Sequence, residues 1–378
     1  MKKKNKKMTL KKFILLFLVC VLVISCRNTK GISIINLSNI HQSISLDLTD
    51  LLKDISMVQI TTDIVLSPDD QIYVTSQYLI ILINRQSLHL FSRDGEYIRK
   101  IAERGNGPGE FNSLNKFFVD EDEHVLYYID NMQVPFRLNR IDINSGKALE
   151  PLSVDFNFLT VNYINGKVYS LPSFRYAGRS IVAGTFPDSA VVACSISLPS
   201  GGIEKHKGHH SYSYLQLGAT IASYYDEVVL LNYDYSDTLF TLKNNQLSPL
   251  CVLHLSDKMK NPIDGGSGCE IIASFSKGIV LSKINLVSFP SRPGVIHSGR
   301  EFALYDRKGG VFKIDNIHVM GTQIDFPSPE DNRRLSSFLP ITCGNYGYML
   351  FEHDFFEARP AGFDSDNDNP IIVVGMLK

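Results

Sequence analysis

Several short stretches of this 378-residue chain carry residue types that do chemistry in other proteins, and their spacing decides what each can do here. Gly105-Asn106-Gly107-Pro108-Gly109 has the glycine density of a phosphate cradle. Its spacing is not G-x-G-x-x-G, no Gly-Lys-Ser/Thr follows, and Pro108 removes a backbone donor. Asp364, Asp366 and Asp368 alternate like the opening of a calcium loop, but Asn369 stands where glycine belongs and Gly375 where the closing glutamate belongs. His206, His209 and His210 form a cluster with no further ligand at zinc spacing nearby. Asp120 to Glu123 could pair carboxylates, yet they sit in a predicted hairpin turn, where charge is solvated. Gly265-Gly-Ser-Gly-Cys269 lacks the final glycine of a nucleophile elbow. No catalytic residue, metal or cofactor is assigned on these grounds.

The elements that would position such residues are short strands. The clearest unit runs Gln71-Ile-Tyr-Val, Tyr78-Leu-Ile-Ile-Leu-Ile, Leu88-His-Leu-Phe, a turn at Arg93-Asp94-Gly95, and Tyr97-Ile-Arg-Lys-Ile. Four short strands joined by polar turns make one blade of a propeller. Similar units begin at Phe117, Phe158, Ile221, Ile271 and Phe338. Turns rich in Asn, Asp and Gly recur at matching positions, among them Asn165-Gly166, Lys277-Gly278 and Asn144-Ser145-Gly146, and these residues tolerate positive φ at low cost. The spacing exceeds the usual ~40 to 50 residues of propeller repeats, so insertions are expected around 200–218 and 285–300. The expected fold is therefore an all-β, six-bladed β-propeller over residues 43–378 with four-stranded antiparallel blades. Ser43 to Thr61 is left over before the first unit and is expected to donate an outer strand to the last blade, closing the ring and removing exposed edges.

The N-terminus sets the address. Residues 2–12 hold seven lysines and no acid, followed by the apolar run Phe13 to Ile24. That run is the length of a signal-peptide core and too short to span a bilayer. Ser25-Cys26 follows, so residues 1–25 read as a lipoprotein signal peptide, Cys26 as the lipidation site and residues 26–42 as a lipidated tether. Without the seven lysines, a chain of net charge −1 falls to about −8, which excludes a basic nucleic-acid footprint. Cys194, Cys251, Cys269 and Cys343 would then lie in an oxidising compartment, and neither a disulfide pairing nor free buried thiols is selected by their positions.

Phe91-Ser-Arg-Asp-Gly95, Tyr97-Ile-Arg-Lys-Ile101, Gly105-Asn-Gly-Pro-Gly-Glu-Phe111, Tyr235-Ser-Asp-Thr-Leu-Phe240 and Asp368-Asn-Pro-Ile-Ile-Val-Val374 together resemble the six-bladed β-propeller lipoproteins of Bacteroidetes, which are related to NHL-repeat propellers. The resemblance implies a lipid-anchored periplasmic or surface propeller and carries over no catalytic residues. The chain departs from typical members in having no Trp. An outer-membrane anchor facing the periplasm is expected, because no Asp adjoins Cys26 and no acidic cluster follows it. The expected role is a non-enzymatic ligand-binding or protein-interaction scaffold whose partners are the membrane, through its lipid, and a glycan, peptide or envelope protein. In such propellers the crossover between blades lies on the face that usually binds ligands, which makes Arg104 and Glu110 the exposed candidates there. The alternative is a metal-assisted hydrolase or lyase acting at the central mouth of the ring.

Overall fold

The computed structural model describes residues 32–67, 70–130, 137–153, 158–164, 167–172, 180–185, 192–197, 220–224, 228–232, 237–244, 246–255, 266–289, 292–306, 308–325, 340–351, 363, 367 and 369–378. Three strands come first: β1 (Ser33–Asn36), β2 (Ser43–Asp47) and, after the helical turn α1 (Leu48–Leu51), β3 (Leu52–Gln59). Asp47 caps that turn, its side chain accepting from the Thr49 amide at 2.8 Å.

Among the described residues the strands pair into six sheets. The first holds β4 (Gln71–Val74), β5 (Tyr78–Ile83), β6 (Ser87–Ser92) and β7 (Tyr97–Glu103). The second holds β8 (Leu114–Asp120), β9 (Val125–Asp130), β10 (Arg137–Asp142) and β11 (Ala148–Ser153). The third holds β12 (Phe158–Ile164), β13 (Lys167–Pro172), β14 (Ser180–Thr185) and β15 (Val192–Ser197). In the fourth are β16 (Thr220–Tyr224), β17 (Val228–Asn232), β18 (Thr238–Lys243) and β19 (Gln246–His254). The fifth contains β20 (Gly266–Phe275), β21 (Gly278–Phe289), β22 (Arg292–Asp306) and β23 (Val311–Val319), with β24 (Thr322–Asp325) paired to β23. The sixth contains β25 (Ile341–Cys343), β26 (Tyr346–Phe351) and β27 (Ile371–Leu377).

Neighbouring strands within each of these units run antiparallel. The inner strands of successive sheets lie side by side, β8 against β12, β12 against β16 and β16 against β20, and β26, the second strand of the sixth sheet, lies against β4. This is an all-β propeller with four-stranded antiparallel blades.

Alternation explains why its strands read as continuous apolar runs. Ile72, Val74, Leu79 and Ile81 pack toward Tyr348, Ile372 and Val374 of the sixth sheet, whereas Tyr73, Ile80 and Leu82 face Phe117, Phe118 and Val119 of the second. The first blade is covered on both sides, so both sets of its side chains are apolar.

The ring closes as expected, and further than expected. β3 completes the sixth sheet antiparallel to β27, with Val58 opposite Ile372 and Gln59 opposite Ile371. β2 instead runs parallel along β23, and β1 runs parallel along β19. The segment thus laces the outer edges of the fourth, fifth and sixth sheets in turn. Ser33–Asn36, assigned from the sequence to the tether, is a docked edge strand, so residues 26–42 are not all tether. Among the described residues of this stretch only Ile35 and Leu37 are buried, too short an apolar pattern to stand out from a polar linker. The β6–β7 turn abuts the closing strand: Gly95, at φ +91°, lies so close that a Cβ there would meet the Gln59 carbonyl at 2.3 Å. A side chain at that position would push the closing strand away.

Candidate functional site

The crossover between the first two blades shows what its glycines do. The Arg104 amide donates to the Gln86 carbonyl at 2.7 Å, and the Phe111 amide donates to the Glu103 carbonyl at 3.1 Å, so both ends of the loop are pinned. Phe111 is the plug: it is buried and meets Tyr128 edge-on at 6.1 Å. Within the loop the Glu110 carboxylate accepts from the Gly107 amide at 2.6 Å. A Cβ on Gly105 would lie 2.0 Å from that carboxylate. Gly105 therefore makes room for Glu110 to fold back over its own loop.

This changes the standing of one predicted ligand-face residue. Arg104 is exposed, as expected, but Glu110 is half-buried and its carboxylate is turned inward to hold the loop. Other acids nearby do the same work. Buried Asp130 accepts from the Asn112 and Ser113 amides at 2.7 and 3.1 Å, and buried Asp70 accepts from the Ser67 and Asn84 amides, both at 2.7 Å. Carboxylates in this role neutralise turn amides that would otherwise be buried without partners.

At the opposite ends of the inner strands, aromatic and polar side chains from four consecutive sheets converge. The Arg93 guanidinium lies over the Tyr346 ring, 5.2 Å from its centre, linking the first and sixth sheets. The Ser76 amide donates to Glu121 at 2.8 Å, linking the first to the second. The Tyr163 hydroxyl donates to Asp120 at 2.6 Å, linking the third to the second. Asp120 also accepts from the Asp122 and Glu123 amides at 3.1 and 3.2 Å, which shapes the acidic turn. Phe118 is sandwiched between Tyr127, 5.1 Å away and nearly parallel, and Tyr163, 5.0 Å away. Asp120 and Glu121, expected to be merely solvated, are thus cross-blade ties, whereas Asp122 and Glu123 are exposed.

The electrostatics follow from burial. Burial pushes the Arg93 guanidinium below its ordinary value, against the pull of Tyr346, Cys343 and Glu121. Burial and then the hydrogen bond to Asp120 hold the Tyr163 hydroxyl well above the ordinary tyrosine range. The Cys343 thiol, which accepts from the Val74 amide at 3.3 Å, is pushed by burial up to about 12. A thiol held so high is not a nucleophile at neutral pH. The cluster brings together tyrosine hydroxyls, one guanidinium and the engaged carboxylates of Asp120 and Glu121, groups able to hydrogen-bond a ligand.

A second arrangement was not legible from sequence. Ser87 Oγ and His89 Nε2 lie 2.7 Å apart on β6, and burial lowers the imidazole's affinity for a proton. His89 Nδ1 is buried without a partner, so the pair lacks the third group that orients a catalytic histidine. The only signal for it is the i, i+2 spacing on one face of a strand. Among the described residues no group of three or more His, Cys, Asp and Glu side chains is placed to hold a metal ion. Cys26, the histidine cluster at 206–210 and the aspartates at 364–368 lie outside the described residues. Cys251, Cys269 and Cys343 are free thiols, the first two buried.

A family model described as a domain of unknown function (DUF4934) matches residues 32–374. No curated protein sequence matches the chain. Among solved structures, a protein of Bacteroides fragilis described as exported superimposes with a TM-score of 0.55 at 13% identity, over 92% of this chain and 100% of that one. A member of the DUF4221 family from Bacteroides vulgatus superimposes with a TM-score of 0.51 at 11% identity, over 87% of this chain and 97% of that one. At such identities the likeness is one of fold.

Proposed function

For this chain, which belongs to the DUF4934 family, we propose the role of a non-enzymatic scaffold: a lipid-anchored ring that binds an envelope ligand at the inner-strand mouth. The observation that carries the reading is the chemistry of that mouth. Half-buried Tyr163 and Arg93 border it, with Tyr346 beneath the guanidinium, while Asp120 and Glu121 are engaged by a hydroxyl and by backbone amides. Aromatic faces and a guanidinium suit a glycan or an extended peptide through stacking and hydrogen bonds. On this reading the six sheets are six blades, residues 1–25 are a signal peptide, and Cys26 carries lipid that holds the ring at the outer membrane, facing the periplasm. The description of the Bacteroides fragilis relative as exported supports the address. No helix among the described residues is long and apolar enough to cross a membrane. Arg104 remains the exposed contact on the opposite, crossover face.

Two measurements test this. Replacing Cys26 with Ala should move the protein from the membrane to the soluble fraction, and unchanged fractionation would refute the anchor. Screening oligosaccharides and peptides by thermal shift should find a ligand that stabilises the wild type, by about 2.7 kcal/mol at a hundredfold excess over Kd. Tyr163→Ala should abolish that gain. Turnover of any screened compound, lost in the same variant, would favour the hydrolase or lyase reading instead.

A further inference from the structure

We infer that the outer edge of the fourth sheet, at β1, is the surface that rests on the lipid bilayer. The inference deepens the anchored-ring reading and rests on it. β1 is an edge strand joined parallel to β19 with Ile34 opposite Val252 and Ile35 opposite Leu253. Its two faces differ. Ile35 and Leu37 are 3% and 2% exposed and pack with Leu239 and Leu253 in the core between the fourth and fifth sheets. Ile34 and Ile32 point the other way and are 75% and 50% exposed.

Exposed Ile34 on a free edge strand, with exposed Ile32 just before it, invites association with another chain, a hazard that natural sheets avoid with charge, proline or cover. The chain itself supplies the cover. Six residues separate Cys26 from Ser33, so an acyl chain on Cys26 holds β1 within about 25 Å of the bilayer whatever path they take. Arg27 and Lys30 fall in that span. Basic residues beside a lipid anchor are drawn to an anionic leaflet. Lipid anchor, basic pair and exposed isoleucines thus follow one another in the order of a membrane-contacting segment. The consequence is orientation. A ring lying on one rim turns both of its loop faces sideways, open to ligands, where a ring hanging freely on a tether would present no fixed face.

The chain contains no Trp, so one introduced indole is a unique reporter. Full-length acylated protein carrying Ile34→Trp or, as a second reporter, Ile32→Trp is reconstituted into phosphatidylethanolamine/phosphatidylglycerol vesicles with and without brominated acyl chains. Tyr97→Trp on β7, at the rim of the first sheet and 42% exposed, serves as the comparison. The expected result is emission shifted to the blue and reduced by about half or more for the β1 reporters, as for an apolar face held about 5–10 Å into the headgroup boundary, with the β7 reporter unaffected. Protein that sediments with vesicles while the β1 reporters go unquenched would overturn the docking and leave the anchor standing. Blue-shifted emission that bromine does not quench would assign the strand to a second copy of the chain. Equal quenching at both rims would refute a fixed orientation, and failure to sediment would refute the anchor and the docking together.

Discussion

Leu52 is the place where ring closure can be measured as an energy. It is fully buried at the start of β3, and two glycines of the sixth sheet receive it. A Cβ on Gly347 of β26 would meet Leu52 Cδ2 at 3.0 Å, and a Cβ on Gly375 of β27 would meet Leu52 Cβ at 2.9 Å. Leu52→Ala would therefore leave a hole walled on one side by two residues with no side chain to collapse into it. Leu→Ala changes in cores cost about 2.7–5.0 kcal/mol, rising with the cavity that remains, and the rigid glycine walls place this site at about 3–4 kcal/mol. Gly347→Ala alone should cost about 1–3 kcal/mol by overpacking against Leu52 and Pro340, whose Cβ would be 3.1 Å away. Combined, the new methyl occupies part of the hole that the leucine left. The double variant should be more stable than the sum of the single changes by about 1–2 kcal/mol, well beyond the ~0.5 kcal/mol scatter of independent sites. Urea unfolding followed by circular dichroism on all four proteins gives the cycle. Additive losses would mean that Leu52 does not sit in the glycine socket and that β3 closes the ring by backbone pairing alone.

Gly105→Ala and Glu110→Ala should each destabilise the first crossover by about 1–2 kcal/mol, and together by little more than either alone, because both end the hydrogen bond to the Gly107 amide; a full sum in thermal denaturation would argue against the inward carboxylate. Burial raises Tyr128 to about 12 and Tyr163 above its ordinary value. An acid whose folded affinity for its proton is raised favours the fold up to the unfolded tyrosine value near 10 and loses that contribution as pH climbs toward the folded one, so stability should fall from about pH 10 upward. Titration of tyrosinate absorbance should show a matching late class, and a single class near pH 10 would contradict it. The buried Cys251 thiol, pushed up to about 12, should resist alkylation at pH 8 until denaturant is added; rapid modification of Cys251 in the native protein would refute its burial.

What could be read from the residues was local. The Ser92-to-Gly95 turn, the glycine crossover and the apolar strand runs each satisfy a rule that operates within a few positions, and each is found as expected. The closing segment was legible as Ser43 to Thr61, since it has no partner of its own and a ring needs one, but only its Leu52–Gln59 part closes the last sheet. What escaped were pairings across long separations: Tyr163 with Asp120, 43 residues apart, and Ser76 with Glu121, 45 apart. An acid in a turn looks the same whether it faces water or a neighbouring blade. Glu110 misled for a related reason, since its role depends on the space beside Gly105, which no residue pattern encodes. The lacing of β1 and β2 was hidden by their shortness.

That lacing sets an order of events. β1 waits for β19 and β2 for β23, more than two hundred residues later, and β3 waits for β27 at the far end of the chain. Contacts so distant in sequence form slowly and late. As the chain emerges from its N-terminus, the middle blades can assemble while the first three strands are still unpaired. Those strands then lock the last three sheets in a single late step. Any product truncated before residue 371 would lack the partner of β3 and keep an open ring with an exposed edge, a ready mark for proteolysis. Completion of the fold is thereby a check that β27 has been made.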